Sequence, residues 1–137
     1  MILLDTNVLI WLAGDDPRLG SKARATIEQV SIEDGLAASA MALWEIGLLA
    51  TNGKLLIPGS LNSWIDKLIE NLGIEIMPID RNVAIAAGIL PRDVHGDPGD
   101  RMMIATARER ICPLMTSDRK ILGYAKAGLL QAIDARR

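Results

Sequence analysis

Short apolar runs of strand length alternate along this chain with longer segments of helical period. Four runs are clear and a fifth is a candidate; they cover Ile2–Leu4, Leu36–Ala38, Ile74–Met77, Leu114–Thr116 and, as the fifth, Leu129–Ile133. This alternation is typical of an α/β domain in which helices connect the strands of a mainly parallel sheet. We therefore predict an α/β fold with a mainly parallel sheet of four to five strands.

Helical period marks six segments between these runs. They cover residues 8–13, 22–30, 40–53, 64–72 and 81–90, and a last segment that opens at Pro98 and continues through Ala105. The chain has 137 residues, and no repeat, low-complexity tract or linker divides it, so we expect a single domain over residues 1–137. Trp11, Trp44 and Trp64 have aliphatic neighbours at helical spacing, which favours packing in the core over base stacking for all three.

The cysteine and histidine content limits the chemistry that the chain can perform. Cys112 is the single cysteine and His95 the single histidine, so neither a disulfide framework nor a Cys/His zinc cluster is available. The first residues lack the basic region and apolar run of a signal peptide. The longest apolar stretch, Gly35–Ala50, is too short to span a bilayer. We expect a soluble cytoplasmic protein that makes no membrane contact.

Three aspartates follow predicted strands, at the edge where open parallel sheets bind ligands. Asp5 follows the first strand, Asp80 the third and Asp118 the fourth. An aspartate before a helix also accepts hydrogen bonds from the exposed amides of the first turn. Capping is the favoured interpretation for Asp80, whereas capping and a site role both stay open for Asp5 and Asp118.

Glu45 lies inside an unusually apolar helical segment. It is the one charged residue between Asp34 and Lys54. Burying even a neutral polar group without a partner costs on the order of 2 to 7 kcal/mol, and a carboxylate costs more. A basic partner, a solvent-facing stripe or a metal ion would offset that cost. The apolar residues one turn away on either side disfavour the stripe.

The segment from His95 to Arg101 opens the last helical segment. Asp97 precedes Pro98 as an N-cap, and Asp100 lies in the first turn, where the helix dipole favours a negative charge. The following turns are apolar nearly all round, which indicates a central buried helix, so Asp100 is expected to face the carboxyl edge of the sheet beside Asp5. For His95, a structural or surface role beside the turn is favoured over that of a catalytic base.

Asp5, Glu45, Asp100 and Asp118 can therefore converge on one cleft. Clustered carboxylates repel one another, and cations relieve that repulsion. Oxygen ligands favour Mg²⁺ or Mn²⁺, which activate water and stabilise a phosphodiester during displacement. The chain has no nucleophile elbow, P-loop or Cys/His pair that would indicate another route. Its net charge of −2 argues against a general electrostatic grip on nucleic acid, but not against a local acidic nuclease site.

These motifs, in their order and spacing, resemble the PIN-domain ribonucleases, and most closely the VapC-type toxins of type II toxin–antitoxin modules. The resemblance covers essentially the whole chain. The motifs that carry it are Leu4-Asp5-Thr6-Asn7, Leu43-Trp44-Glu45-Ile46, Gly53-Lys54-Leu55, His95-Gly96-Asp97-Pro98-Gly99-Asp100-Arg101, Ile104-Ala105-Thr106-Ala107 and Leu114-Met115-Thr116-Ser117-Asp118.

The resemblance implies a three-layer α/β/α domain with a Mg²⁺-dependent acidic site, for which Mn²⁺ is also suitable, that cleaves RNA. The family's four acids fall on Asp5, Glu45, Asp100 and Asp118. Its supporting polar residues fall on Thr6, Asn7 and Thr116 or Ser117, with Asp97 as a further acid and Arg101 as an arginine expected to contact the phosphate backbone or the acidic cluster. It also implies a homodimer and a cognate VapB-type antitoxin whose tail enters the cleft.

Three positions depart from the family pattern. Gly99 replaces a frequent aromatic residue, Ala42 a frequent serine and Leu49 a frequent lysine. None of them removes a carboxylate, so they bear on substrate contacts and supporting hydrogen bonds rather than on metal binding.

Two other functions stay open at this point. An aspartyl phosphatase or receiver-like domain also places acids at strand ends. The phosphatase pattern has a second acid at the position where this chain has Asn7, and the receiver pattern does not include an acid equivalent to Glu45. A non-enzymatic PIN-like interaction module would fit the high mean hydropathy of +0.23, which indicates apolar surface covered by a partner. The presence of all four acids favours the enzyme.

Overall fold

A five-stranded, wholly parallel sheet forms the centre of the computed structural model, which describes all of residues 1–137. The strand order is β3-β2-β1-β4-β5. The strands are β1 (Ile2–Leu4), β2 (Leu36–Ser39), β3 (Ile74–Met77), β4 (Leu114–Thr116) and β5 (Ala132–Asp134). All residues of β1, β2 and β4 are buried, although successive side chains of a strand point to opposite faces. Helices therefore cover both faces, which gives the predicted three-layer α/β/α fold.

Seven helices connect these strands. They are α1 (Thr6–Ala13), α2 (Ser21–Glu33), α3 (Ala40–Thr51), α4 (Leu61–Leu72), α5 (Arg81–Gly88), α6 (Pro98–Arg110) and α7 (Arg119–Lys126). Helix α6 is the central one, since Met103–Ala107 are all buried and it packs against α3, α5 and β4. No helix combines the length and the apolar composition that crossing a membrane requires.

The direction in which successive strands are added to the sheet reverses between β1 and β4, and this position is the topological switch point of the sheet. From β1 the chain builds outward through β2 to β3, then returns to the other side of β1 as β4 and continues to β5. Ligands of open α/β sheets bind outside the carboxyl ends of the strands at such a point. Leu4 pairs with Met115 in this register, so Asp5 and Thr116 are neighbours at that edge.

Three local expectations were wrong. Helix α7 was not predicted, because it is short, contains Gly123 and buries only Ile121. The fifth strand begins at Ala132 rather than at Leu129. Trp11 is buried and Trp64 packs against the core, but Trp44 is 58% exposed, because its side of α3 borders an open cleft.

Candidate active site

Asp5 and Asp118 are both helix caps and both members of one cleft. Asp5 Oδ1 accepts a hydrogen bond from Thr6 N at 2.8 Å, at the start of α1. Asp118 Oδ1 accepts from Lys120 N at 2.8 Å and from Ile121 N at 3.2 Å, at the start of α7. Each cap uses mainly one carboxylate oxygen. The two interpretations left open by the sequence are therefore compatible, because the second oxygen remains for other contacts.

Thr116 connects these two aspartates. Its hydroxyl donates to Asp5 Oδ2 at 2.6 Å and accepts from Asp118 N at 3.0 Å. Thr116 is fully buried, and Ser117 beside it is buried but lines the cleft. The end of β4 thus orients one carboxylate directly and fixes the backbone of the other.

Glu45 reaches the same cleft from α3. The hydroxyl of the buried Thr6 donates to Glu45 Oε1 at 3.2 Å. Gly99, at the start of α6, provides the space for this carboxylate, because a Cβ there would lie 3.1 Å from Glu45 Oε1 and 3.2 Å from Asp97 Oδ1. The glycine that departs from the family pattern therefore lets two carboxylates approach the helix start closely.

Asp97 and Asp100 enter the cleft from the start of α6. Asp97 is the N-cap, as predicted, and its Oδ1 accepts from Asp100 N at 3.0 Å. Asp100 Oδ2 lies 2.8 Å from His95 Nε2, although the angle between them is not that of a hydrogen bond. One potential ligand atom each from His95, Asp100 and Asp118 lie within 4.8 Å of one another. His95 therefore faces the acids, whereas the sequence favoured a structural or surface role beside the turn.

Arg101 does not face the cleft, contrary to the expectation from the sequence. Its guanidinium donates to four backbone carbonyls at the end of α5 and in the loop that follows: those of Ala87, Gly88, Leu90 and Val94, at 3.1 to 3.5 Å. Successive residues of a helix point about 100° apart, so Arg101 points away from the acids although Asp100 points toward them. Its contacts hold a loop in place.

The remaining residues predicted for the site lie where expected. Asn7 is exposed and lines the cleft beside Asp5. Asp5, Glu45, Asp97, Asp100 and Asp118 all line one open cleft of about 980 Å³. Their roles as metal ligands and catalytic groups stay predictions.

Three acids of the cleft, Asp5, Glu45 and Asp100, have raised pKa values and so hold protons more tightly than isolated carboxyl groups do. Burial, with smaller contributions from the charges of Asp5 and Asp100, raises the pKa of Glu45 to about 7. Burial and the neighbouring Asp97 raise the pKa of Asp100 to about 6. Burial also raises the pKa of Asp5, although hydrogen bonds from Thr116 and Thr6 oppose it. Ionising the whole cluster at neutral pH is therefore unfavourable without added positive charge.

Direct ion pairs within the protein supply little of that positive charge. No lysine or arginine side chain lies within the 4.0 Å of an ion pair from any of the five carboxylates, and His95 is the single basic contact. Every close donor atom except the imidazole nitrogen is an oxygen. Hard divalent cations such as Mg²⁺ and Mn²⁺ take such donors, so the residues present fit that kind of ion.

Cationic and apolar side chains also line the cleft. The cations are Lys54, Arg119, Lys120 and Arg136, and the apolar residues include Trp44 and Leu48, which are exposed. Sequence reasoning gave none of them a place in the site. Arg119 and Lys120 directly follow the predicted acid Asp118, which was an available signal, whereas nothing local in the sequence connects Arg136 with the other acids.

The chain is similar to known proteins in both sequence and fold. A family profile described as the PIN domain matches residues 2–127. Ribonuclease VapC22 of Mycobacterium tuberculosis is 33% identical to this chain over 123 residues, which cover 90% of this chain and 91% of that protein.

Solved structures share the fold over nearly their whole length. VapBC2 from Rickettsia felis, bound to a DNA fragment from their promoter, has a TM-score of 0.71 at 18% identity and covers 97% of this chain and 98% of its own. A toxin–antitoxin complex from Klebsiella pneumoniae has a TM-score of 0.67 at 19% identity, with 98% of both chains covered. At these identities the likeness is one of fold.

Proposed function

The chain belongs to the PIN-domain family, and on that premise we propose that it is a Mg²⁺-dependent endoribonuclease, the toxin of a type II toxin–antitoxin module. One observation carries the proposal. Five carboxylates line a single cleft at the switch point of the sheet, and none of them has a lysine or arginine partner. Such an arrangement costs stability, and a nuclease site explains why it is present.

Asp5, Glu45, Asp100 and Asp118 are the residues that would hold the cation. Bound there, a divalent ion would lower the pKa of a bound water and supply positive charge that stabilises a phosphodiester under attack. Mn²⁺ fits the same oxygen donors. The 33% identical relative VapC22 is named a ribonuclease. That name, together with the oxygen donors of the cleft, supports RNA as the substrate.

Residues of the chain itself orient these carboxylates. Thr116 holds Asp5 Oδ2, and Thr6 holds Glu45 Oε1. Asp97 caps α6 and so fixes the backbone of Asp100. Because these donors are fixed before substrate arrives, little reorganisation is needed when the charge of a phosphate enters.

Partner proteins are part of the same proposal. Trp44 and Leu48 expose apolar surface on α3 beside the cleft, where a cognate VapB-type antitoxin would cover it and block the site. The toxin–antitoxin complex of the same fold from Klebsiella pneumoniae supports such a partner. Ile85 and Ile89 are exposed on or just after α5, away from the cleft, and support a homodimer formed there. We place the protein in the cytoplasm, where its RNA substrates are.

Cleavage of RNA by the purified protein tests the enzyme directly. We expect cleavage with Mg²⁺ or Mn²⁺, loss of cleavage with a chelator, and a fall of at least about 100-fold in Asp5→Asn and Asp100→Asn, as for the loss of a central catalytic interaction. Asp66→Asn, which changes an exposed acid on α4, is the matched control and keeps full activity. Equal cleavage by all three variants, insensitive to the chelator, would disprove the proposal.

A further inference from the structure

A second cavity lies beside the acidic cleft, between α2, α7 and β5. Its volume is about 1070 Å³. Five cationic side chains line it, together with a single carboxylate, Asp134; the cations are Lys22, Arg119, Lys126, Arg136 and Arg137. We call this cavity the basic groove. Such a concentration is unusual in a chain with 17 acidic and 15 basic residues, so it is a local feature and not a reflection of composition.

The basic groove is continuous with the acidic cleft. Arg119 and Arg136 line both of them. Arg119 directly follows Asp118, and Arg136 lies two residues beyond β5. A linear polymer bound across the acidic cleft can therefore continue past Arg119 and Arg136 into the basic groove along the protein surface.

The cations of the groove are nearly free of partners within the protein. Lys22, Arg119, Lys126 and Arg136 form no ion pair, and Arg137 has only a long one, with its Nε 3.7 Å from Asp134 Oδ2. All five residues are exposed. Positive charges held together without counter-charges attract an anionic ligand, and here they do so next to a site for phosphodiesters.

The fold holds this arrangement in place through Gly20. Gly20 N donates to Ala135 O, and Lys22 N donates to Arg137 O, both at 2.9 Å. A Cβ on Gly20 would lie 2.2 Å from the carbonyl carbon of Arg137 and 2.6 Å from that of Arg136, so only glycine permits this approach. The segment that carries two arginines is thereby fastened to the start of α2, which carries Lys22.

We propose that the basic groove binds the phosphate backbone of the RNA strand that leaves the acidic cleft. The proposal rests on the proposed function and extends its substrate site beyond the bond that is cleaved. Phosphates contact the exposed cations, and the apolar side chains of the groove, among them Leu122 and Ile133, face the strand between them. Long RNA is then held more tightly than a short oligonucleotide that fills only the acidic cleft.

The test compares two substrates in one variant. Lys22→Ala/Lys126→Ala removes two groove cations that do not line the acidic cleft. We expect kcat/KM for a 20-nucleotide single-stranded RNA to fall about tenfold relative to that for a tetranucleotide. The slope of log KM against log salt for the long RNA should decrease by about 1.4, since each phosphate contact on a single strand contributes about 0.7.

The matched control is Lys67→Ala/Arg108→Ala, which removes two exposed cations of α4 and α6 that line neither cavity. It should preserve the ratio between the two substrates. The inference is overturned if the groove variant keeps the wild-type ratio, or if both double variants lose the same amount.

Binding of the same 20-nucleotide RNA in a chelating buffer separates this inference from the proposed function. Fluorescence anisotropy of the labelled strand reports the groove when no cleavage takes place. Weaker binding by the groove variant than by the control supports the groove even if wild-type protein cleaves neither substrate. Wild-type cleavage together with unchanged binding by the groove variant overturns the groove and leaves the nuclease intact.

Discussion

The Thr116 hydroxyl donates a 2.6 Å hydrogen bond to Asp5 Oδ2 across a separation of 111 residues. The Thr116 hydroxyl oxygen also accepts a hydrogen bond from Asp118 N, so one buried side chain connects the ends of β1 and β4. This contact makes the geometry of the acids depend on a residue that carries no charge.

Replacing Thr116 tests that dependence. Thr116→Val removes both hydrogen bonds at nearly constant volume and should cost about 1 to 3 kcal/mol of unfolding free energy, because a buried acceptor and donor lose their partner. RNA cleavage should fall at least about tenfold. Urea denaturation and a cleavage assay measure the two effects. Thr116→Ser keeps the hydroxyl and should retain most of the activity; equal losses in both variants would show that packing, not the hydroxyl, matters.

Removing an acid should stabilise the metal-free protein. Glu45 and Asp100 repel their neighbours, so Glu45→Gln and Asp100→Asn are expected to raise the Tm at pH 8 in the presence of a chelator. Asp80 is the control, because its side chain caps α5 by accepting from Val83 N and it lines neither cavity. Asp80→Ala should cost about 1 kcal/mol. A fall in Tm for both cleft variants would indicate that these acids support the fold.

The stability of the metal-free protein should fall as the pH rises. The pKa of Glu45 is about 7 in the folded state against 4.5 for an unperturbed group, and that of Asp100 is about 6 against 3.8. The folded state therefore binds more protons than the unfolded state in this range, which makes stability decrease from about pH 4 to pH 7. Urea midpoints measured across this range check the direction.

Two further measurements identify the cause of this pH dependence. Glu45→Gln should flatten the profile between pH 5 and pH 7. Saturating Mg²⁺ should reverse it, since cation binding displaces protons from the carboxylates. A profile that is the same with and without Mg²⁺ would contradict the assignment of these acids to a metal site.

The close backbone contact at Gly20 predicts an unusual response to a small substitution. Gly20→Ala introduces a Cβ that overlaps the backbone of Arg136 and Arg137, and should cost about 1 to 3 kcal/mol through overpacking. Gly88→Ala is the control, because a Cβ there meets nothing within 4 Å. It should be neutral or stabilising by up to about 1 kcal/mol. Denaturation curves with equal midpoints would show that the terminal segment is not held as described.

The sequence predicted the strands of the centre well, because buried parallel strands read as continuous apolar runs. It also predicted that four acids converge, since the ends of parallel strands share one edge. The sequence predicted that Trp44 packs in the core, because the residues around it in α3 are apolar. An apolar helix of this kind does not show which of its sides is covered by other helices and which is exposed to solvent. The family resemblance implied that Arg101 contacts the phosphate backbone or the acids, whereas the turn of the helix directs it away from Asp100 and toward the loop before α6.

Only part of the basic groove is visible in the sequence. Four of its five cations lie within residues 119–137, whereas Lys22 lies about a hundred residues earlier, and the contact at Gly20 brings it to the others. Local periodicity in the sequence does not predict which distant side chains lie together in the fold.

The position of β1 in the middle of the sheet sets the time at which the acids can meet during synthesis. β1 is made first, but its neighbour β4 follows more than a hundred residues later and brings Thr116 and Asp118 with it. While the chain is still emerging from the ribosome, Asp5 lacks the partner that orients it. The four acids can therefore assemble into one cleft only after β4 has been synthesised.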